Sequence, residues 1–199
     1  MSEVVIIDSG GANITSLDSA LERLGVKATL TREADVIRAA GHVLLPGVGA
    51  AKDAMARLHD AQLVDVIREL RQPVLGICLG MQLLCERSEE DYVDCLGIIP
   101  GTARKLRVAD SFPVPNMGWC ATERVAAHPV IENIADGSHF YYVHSYALAV
   151  SEHTLATAQH TEPFAAAVGK DNFVAAQFHP ERSSSAGARI LSNFLEWSV

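Results

Sequence analysis

Pro73-Val74-Leu75-Gly76-Ile77-Cys78-Leu79-Gly80-Met81-Gln82 is the stretch whose reading decides the fold. Its first half is short and apolar, which predicts a strand over residues 73–77 buried on both faces. A helix over residues 80–86 is predicted to follow directly, with no loop between. Gly-x-Cys-x-Gly at such a junction is the thiol version of the nucleophile elbow, a sharp strand-to-helix turn that exposes its central side chain at the sheet edge. Gly76 and Gly80 suit a place where neighbouring backbone packs too closely for side chains. The helix would point its N-terminus at the sulfur and favour the reactive thiolate. Two glycines could flank a core cysteine by chance, but the strand before and the helix after favour the chemical reading.

The same texture continues outward. Val4-Val5-Ile6-Ile7 predicts a buried strand, residues 8–13 a glycine-containing loop, and residues 16–24 an amphipathic helix stopped by Gly25. Residues 26–31 and 42–45 predict two more strands, the second ended by Pro46-Gly47. Met55, Leu58, Leu63, Val64, Ile67 and Leu70 suggest one long helix over 51–70. Strands alternating with helices imply a parallel α/β sheet with right-handed crossovers. Beyond about residue 95, short strand candidates follow one another over 98–106, 140–146, 155–159, 164–168 and 173–178. Gly169-Lys170-Asp171-Asn172 reads as a hairpin connection between the last two. These strands are expected to join the same sheet, closed by a helix over 186–197. No repeat, low-complexity tract or linker interrupts the chain, so residues 1–199 are expected to form one domain.

Composition narrows the classes. With 49% hydrophobic and 20% charged residues, the 199-residue chain is of globular type and long enough to bury a sizeable core. A formal net charge of −8 argues against nucleic-acid or anionic-membrane surfaces, which want a basic patch. No apolar run approaches membrane-spanning length, and Met1-Ser2-Glu3 leads into the first strand without a signal-peptide pattern. A cytoplasmic location is therefore expected. Cys85, Cys95 and Cys120 are expected as small buried hydrophobes. No paired Cys or His spacing suggests a metal, and no glycine-rich fingerprint suggests a cofactor, so neither is expected.

A cysteine nucleophile needs a base, and the chain has eight histidines. His179 stands out within Gln177-Phe178-His179-Pro180-Glu181, where it follows an apolar strand and precedes a carboxylate by two residues. Pro180 is expected to hold this stretch extended so that Glu181 can orient the imidazole. By triad logic His179 takes the thiol proton and returns it to the leaving group, while Glu181 fixes the tautomer and stabilises the imidazolium. His-Pro-Glu is weak by itself and strong beside the elbow. His42, His128, His153 and His160 are expected at the surface, whereas His144, in Tyr141-Tyr142-Val143-His144-Ser145-Tyr146, is set apart from them.

Together these residues resemble the triad family of glutamine amidotransferases, whose signature is the Gly-x-Cys-x-Gly elbow with a distant His-Pro-Glu. The likeness covers essentially the whole chain. It implies a class-I amidotransferase, flavodoxin-like α/β fold: a central, mostly parallel sheet with helices on both faces and antiparallel strands added in the C-terminal half. It also implies hydrolysis of the glutamine side-chain amide through a γ-glutamyl thioester on Cys78, with the Leu79 N–H supplying part of an oxyanion hole.

Within that family, Leu45-Pro46-Gly47-Val48-Gly49 is the discriminating stretch, because Val48 stands where most relatives carry a second glycine. Pro-Gly-Val-Gly is similar to the glutaminase subunits of imidazole glycerol phosphate synthase, from histidine biosynthesis. Gly80-Met81-Gln82-Leu83-Leu84, Ser88-Glu89-Glu90, Pro115-Asn116-Met117-Gly118-Trp119 and Tyr142-Val143-His144-Ser145-Tyr146 agree with that likeness. Valine makes some backbone conformations costlier than glycine does. The Gly47–Val48 peptide is accordingly expected to sit turned from the oxyanion at rest, leaving activity latent until a loaded partner arrives.

The resemblance further implies that Gln82 and Glu90 bind the α-amino and carboxylate ends of glutamine, with Glu90 facing the ammonium, and that His144, Ser145 and Tyr146 contribute. Composition alone would leave Glu90 as one more solvated charge in an acidic run. The implied partner is a (β/α)8 cyclase, joined as a heterodimer, whose barrel carries the ammonia. Asn13, Trp119, Tyr141 and Arg182 match positions lining that contact, although Trp119 reads equally well as a core aromatic. The first loop lacks a tyrosine-glycine pair frequent in the family, and Cys120 stands where asparagine is common, departures that touch only the interface.

Rival readings are a glutaminase subunit serving pyridoxal phosphate or anthranilate synthesis, a cysteine hydrolase of the same fold, and a scaffold without activity. Val48 and the Pro115 to Trp119 stretch disfavour the first, and Gln82 and Glu90 beside His-Pro-Glu the second. The presence of Cys78, His179 and Glu181 together disfavours the third.

Overall fold

The computed structural model describes residues 3–10 and 14–199. Strands β1 (Val4–Ile7), β3 (His42–Gly47) and β4 (Val74–Cys78) are buried along their whole length, which is why they read as unbroken apolar runs. With β2 (Ala28–Thr31) and β13 (Phe173–Ala176) they form a parallel array in the order β2-β1-β3-β4-β13. The sheet continues antiparallel from β13 through β12 (Pro163–Lys170), β11 (Thr154–Gln159), β8 (Asn116–Arg124) and β9 (Ser138–His144). The expected hairpin is present, with Lys170 opposite Phe173 and Asp171 at a φ of 53° in the turn.

Helices cover both faces, and β1 shows how. Val5 and Ile7 pack with α2 (Ala34–Ala39), α3 (Ala51–Asp60), α4 (Val64–Glu69) and α5 (Leu79–Leu84). Val4 and Ile6 pack with α1 (Ile14–Arg23) and α6 (Ser184–Glu196) on the other side. Alternation along one strand thus serves two apolar layers.

Several expectations change. The strand candidates of the C-terminal half do not all join one sheet. A second, four-stranded sheet has the order β10-β7-β5-β6, from Tyr146–Leu148, Ile99–Lys105, Cys85–Ser88 and Val93–Asp94. The 140–146 candidate splits at Ser145, whose carbonyl accepts from Leu106 N–H at 2.9 Å, so that β9 and β10 enter different sheets. The helix expected over 80–86 starts at Leu79 and stops at Leu84, because Cys85 turns extended (φ −76°, ψ −179°) and begins β5. The long helix over 51–70 is two helices, broken at Gln62 with φ 56°. The step of five residues from Leu58 to Leu63 breaks the helical period, and Leu63 N–H returns to the Leu58 carbonyl at 2.9 Å. Pro46 and Gly47 are the last two paired residues of β3 and not a stop after Leu45: Pro46 pairs with Ile77 and Gly47 with Cys78. Among the described residues no helix is long and apolar enough to cross a membrane.

Candidate active site

The elbow is built by close backbone packing. Cys78 closes β4 with φ 55° and ψ −109°, a left-handed conformation that is costly for a residue with a Cβ. The surroundings leave it no slack. A Cβ on Gly80 would lie 1.7 Å from the Leu45 carbonyl oxygen of β3, and one on Gly76 would lie 2.8 Å from a Leu84 methyl. Only glycine fits at Gly80, a Cβ on Gly76 would require Leu84 and its neighbours to shift, and every residue of α5 is buried behind the turn.

His179 approaches from the end of β13. Its Nδ1–H donates to Glu181 Oε1 at 2.8 Å, which leaves Nε2 as the nitrogen available to the sulfur. The stretch is not extended, contrary to expectation: Pro180 opens a 3-10 turn, Pro180–Arg182, that folds the carboxylate back onto the ring. Proline's fixed φ suits the first position of such a turn. The backbone of His179 is held by N–H donation to the Tyr141 carbonyl (2.9 Å) and by the Ser183 hydroxyl donating to its own carbonyl (2.6 Å). Burial opposes a charge on this ring. The neighbouring Cys78 sulfur and Glu181 carboxylate outweigh burial and push the imidazole up to about 10. Nε2 itself has no fully aligned hydrogen-bond partner, so ring and sulfur are neighbours whose bond is not yet closed.

Above Cys78 opens a cavity of about 380 Å³, with Val48, Gly49 and Leu79 on one side and Gln82, Glu90, His144, Ser145 and Tyr146 on another. His179, Arg182, Pro115 and Val143 complete it. Pro115 and Val143 lie in stretches that carry the family likeness, but neither was given a role in the site from sequence. Gly47 and Glu181 lie just behind this wall, sharing a smaller space with Leu17 and Pro46. A larger groove of about 660 Å³, lined by residues such as Arg32, Arg38 and Arg57, shares no residue with this site and holds no nucleophile.

Polar groups around the cavity are fixed in sense. Glu90 Oε2 accepts from the Ala51 N–H at the start of α3 (2.8 Å), so it is no loose surface charge, and its other oxygen is left for a ligand. His144 Nδ1–H donates to the Tyr146 carbonyl at 2.9 Å and its Nε2 accepts from the Asn116 amide at 3.2 Å. Gln82 Nε2 donates to that same carbonyl at 3.0 Å and to Gln177 Oε1 at 3.2 Å, leaving its own carbonyl oxygen unengaged by these bonds. Burial pushes His144 down to about 4, only partly offset by the bond to Tyr146.

At the rim, Trp119 is 53% exposed, which decides against its reading as a core aromatic. It meets Tyr141 edge-on at 6.1 Å, and the Arg182 guanidinium lies 4.8 Å from the centre of the Tyr141 ring. Asn13 lies outside the described residues. Two histidines expected at the surface are buried instead: His42 meets the Trp197 carbonyl at 2.9 Å and His160 the Pro113 carbonyl at 3.1 Å. Cys85 and Cys95 are buried as expected, while Cys120 is partly exposed. No group of potential metal ligands occurs among the described residues.

Residues 5–197 match the family described as glutamine amidotransferase class-I. The chain belongs to this family. It is 49% identical over 196 residues to an imidazole glycerol phosphate synthase subunit HisH of Idiomarina loihiensis, covering 98% of each chain. It is 45% identical to the subunit of the same name from Vibrio cholerae, covering 97% of this chain and 98% of that one. Among solved structures, a glutamine amidotransferase superposes with a TM-score of 0.74 at 19% identity, over 97% of both chains. PurLQS of Thermotoga maritima does so with a TM-score of 0.71 at 16% identity, over 98% of this chain and 99% of the other. At such identities these two speak for the fold alone.

Proposed function

We propose that the chain hydrolyses glutamine to glutamate and ammonia, with Cys78 as nucleophile, as a subunit of imidazole glycerol phosphate synthase in histidine biosynthesis. The observation that carries this reading is the Cys78 sulfur at the base of a cavity, beside a buried His179 whose other nitrogen is bonded to Glu181. The high identity to subunits of that name supports the assignment of pathway. A (β/α)8 cyclase that receives the ammonia is the partner in this proposal, met through the Trp119, Tyr141 and Arg182 rim, with Asn13 part of the same contact.

The chemistry follows from which groups are free. A thiolate on Cys78 beside a protonated His179 attacks the side-chain carbonyl carbon of glutamine. The negative oxygen that forms is held by the Leu79 N–H, joined by a second donor from the Gly47-Val48-Gly49 loop when that loop presents one. His179 gives its proton to the nitrogen, ammonia leaves, and a γ-glutamyl thioester remains. The neutral ring then takes a proton from water, which releases glutamate and restores the thiolate. Glu181 keeps Nδ1 protonated throughout.

At the other end of the substrate, Glu90's remaining oxygen and the carbonyl of Gln82 are acceptors suited to the α-ammonium. The carbonyls of Ser145 and Tyr146 already accept from Leu106 N–H and from Gln82 and His144. Backbone N–H groups are therefore what this stretch can offer to the α-carboxylate.

The deciding experiment measures glutamate release from glutamine by the purified chain, alone and with a cyclase subunit loaded with its ribonucleotide. Low activity alone and strong activation by the loaded partner is the expected result. Rapid hydrolysis unaffected by that partner would move the chain to another amidotransferase branch. No hydrolysis in either state would overturn the reading.

A further inference from the structure

Gln177 is fully buried, stands one residue past the Ala176–Ile77 pairing of β13 with β4, and so sits beside Cys78. Its backbone N–H is anchored on the Ala166 carbonyl at 2.8 Å. Its side-chain Nε2 lies 3.8 Å from Cys78 Sγ, within range for a hydrogen bond to sulfur.

Which end of that amide faces the sulfur follows from a chain of fixed partners. The Tyr146 carbonyl can only accept, so the Gln82 atom 3.0 Å away must be its NH2 group. That same NH2 donates at 3.2 Å to Gln177, which must present its oxygen there. The Gln177 NH2 is then left directed at Sγ. Flipping Gln82 would set its oxygen against two acceptors, and flipping Gln177 would set its NH2 against the NH2 of Gln82. On its other side, Sγ lies 3.8 Å from the Val143 carbonyl, an acceptor only. A protonated thiol can donate to Val143, whereas a thiolate finds there a carbonyl dipole pointing the wrong way. The Gln177 amide favours the opposite form.

We infer that Gln177 is a positioning residue for the nucleophile, donating to the Cys78 thiolate with a polarity set by the Tyr146 peptide through Gln82. This rests on the proposed role of Cys78 and adds to it a residue outside the triad. One consequence is that the pocket wall and the nucleophile share a hydrogen-bonded line, so a ligand that pulls on Gln82 also disturbs the sulfur's donor.

The test is the pH dependence of Cys78 alkylation by iodoacetamide, read by peptide mass spectrometry on the full chain. Gln177→Glu keeps the shape and the acceptor for Gln82 but replaces the donor by a negative charge. Its alkylation midpoint is expected to rise by about one pH unit, with labelling about tenfold slower at pH 7. In the activated complex kcat is expected to fall about tenfold or more while KM stays within about threefold. Gln177→Met, similar in length and without polar hydrogens, carries the test if the buried charge unfolds the first variant; its midpoint should rise as well, by less. Its KM should also increase, because Gln82 loses an acceptor. A folded variant with the wild-type alkylation profile would overturn the inference. Alkylation does not require turnover, so failure of the glutaminase reading would show as absent glutamate release and leave the Gln177 result to stand or fall by itself.

Discussion

His179 and His144 face one cavity and are almost equally buried, at 6% and 5% exposure, yet they are driven to opposite charge states. Burial penalises the imidazolium in both. At His179 the Cys78 sulfur, as an anion, and the Glu181 carboxylate outweigh that penalty, and the ring is pushed up to about 10. At His144 the hydrogen-bond partners are a peptide carbonyl and a side-chain amide, both neutral, and the ring is pushed down to about 4. The charge of the partners, and not the depth of burial, separates a ring that can give up a proton during a reaction from one that acts as a fixed strut. His144 needs to be neutral for its task. Only the neutral Nδ1–H tautomer can donate to Tyr146 and accept from Asn116 at once. A second proton on the ring would face the Asn116 NH2.

The most direct way to break this contrast is to give His179 the uncharged surroundings of His144. Glu181→Ala removes the carboxylate from a ring that remains buried. We expect kcat of the activated complex to fall by about 10³-fold or more. The imidazole titration, followed by NMR, should move to lower pH. A kcat within threefold of wild type would sink the assigned role of Glu181.

The next effect is on stability, and its sign follows from protons bound. The unfolded chain protonates His144 near pH 6.5, whereas the folded chain resists until about 4. Between these values the unfolded state binds more protons, so stability present above pH 6.5 is lost as the pH falls toward 4, by up to about 3 kcal/mol. His179 has the opposite sign: its contribution is present below pH 6.5 and is lost as pH rises toward about 10. His144→Asn should therefore lose less stability than wild type between pH 7 and pH 4.5 in urea titrations. Equal losses in the two proteins would show that His144 is not the group responsible. Asn116→Asp sharpens the contrast from the other side by placing a carboxylate against Nε2, as Glu181 does for His179. The His144 titration should move upward, and the acid-side loss should shrink by about 1 kcal/mol. An unmoved titration would mean that the new carboxylate is itself protonated.

What could be read in advance followed the same division between local and distant causes. The elbow was legible because its constraint is local: Gly76 and Gly80 stand where a Cβ meets other backbone or side chains at once. His179 and Glu181 stand two apart, so the candidate pair was legible too. The polarity of Gln82 and Gln177 was not, because the Tyr146 carbonyl that decides it comes from another part of the chain. His42 and His160 were misplaced for a similar reason, since each is received by a backbone carbonyl remote in sequence. In the fold, the buried parallel strands announced themselves as apolar runs. The short strands did not reveal which sheet they join, because that is decided by partners from other parts of the chain: β7 pairs with β10 and β5, and β11 with β8 and β12. The break at Gln62 leaves only a five-residue step from Leu58 to Leu63 in an otherwise helical pattern, a weak local signal.

The smallest effect on the isolated chain is expected at the rim. Trp119 is half in solvent and touches Tyr141 by one edge, so Trp119→Ala should change stability by no more than about 1 kcal/mol. Glutamate release by the chain alone, whatever its rate, should also hardly change, because Trp119 does not line the cavity. If this rim meets the cyclase, the same substitution should weaken the heterodimer about tenfold or more, as loss of a large aromatic anchor does. The contrast between the two measurements is what matters. A variant destabilised by several kcal/mol would mean that Trp119 supports β8 and β9, and its exposure would be incidental. A stable variant with undiminished affinity would move the interface elsewhere on the surface. Stability kept and affinity lost would mark Trp119 as a residue whose energy is spent outside its own fold, next to Tyr141, whose backbone holds His179 in place.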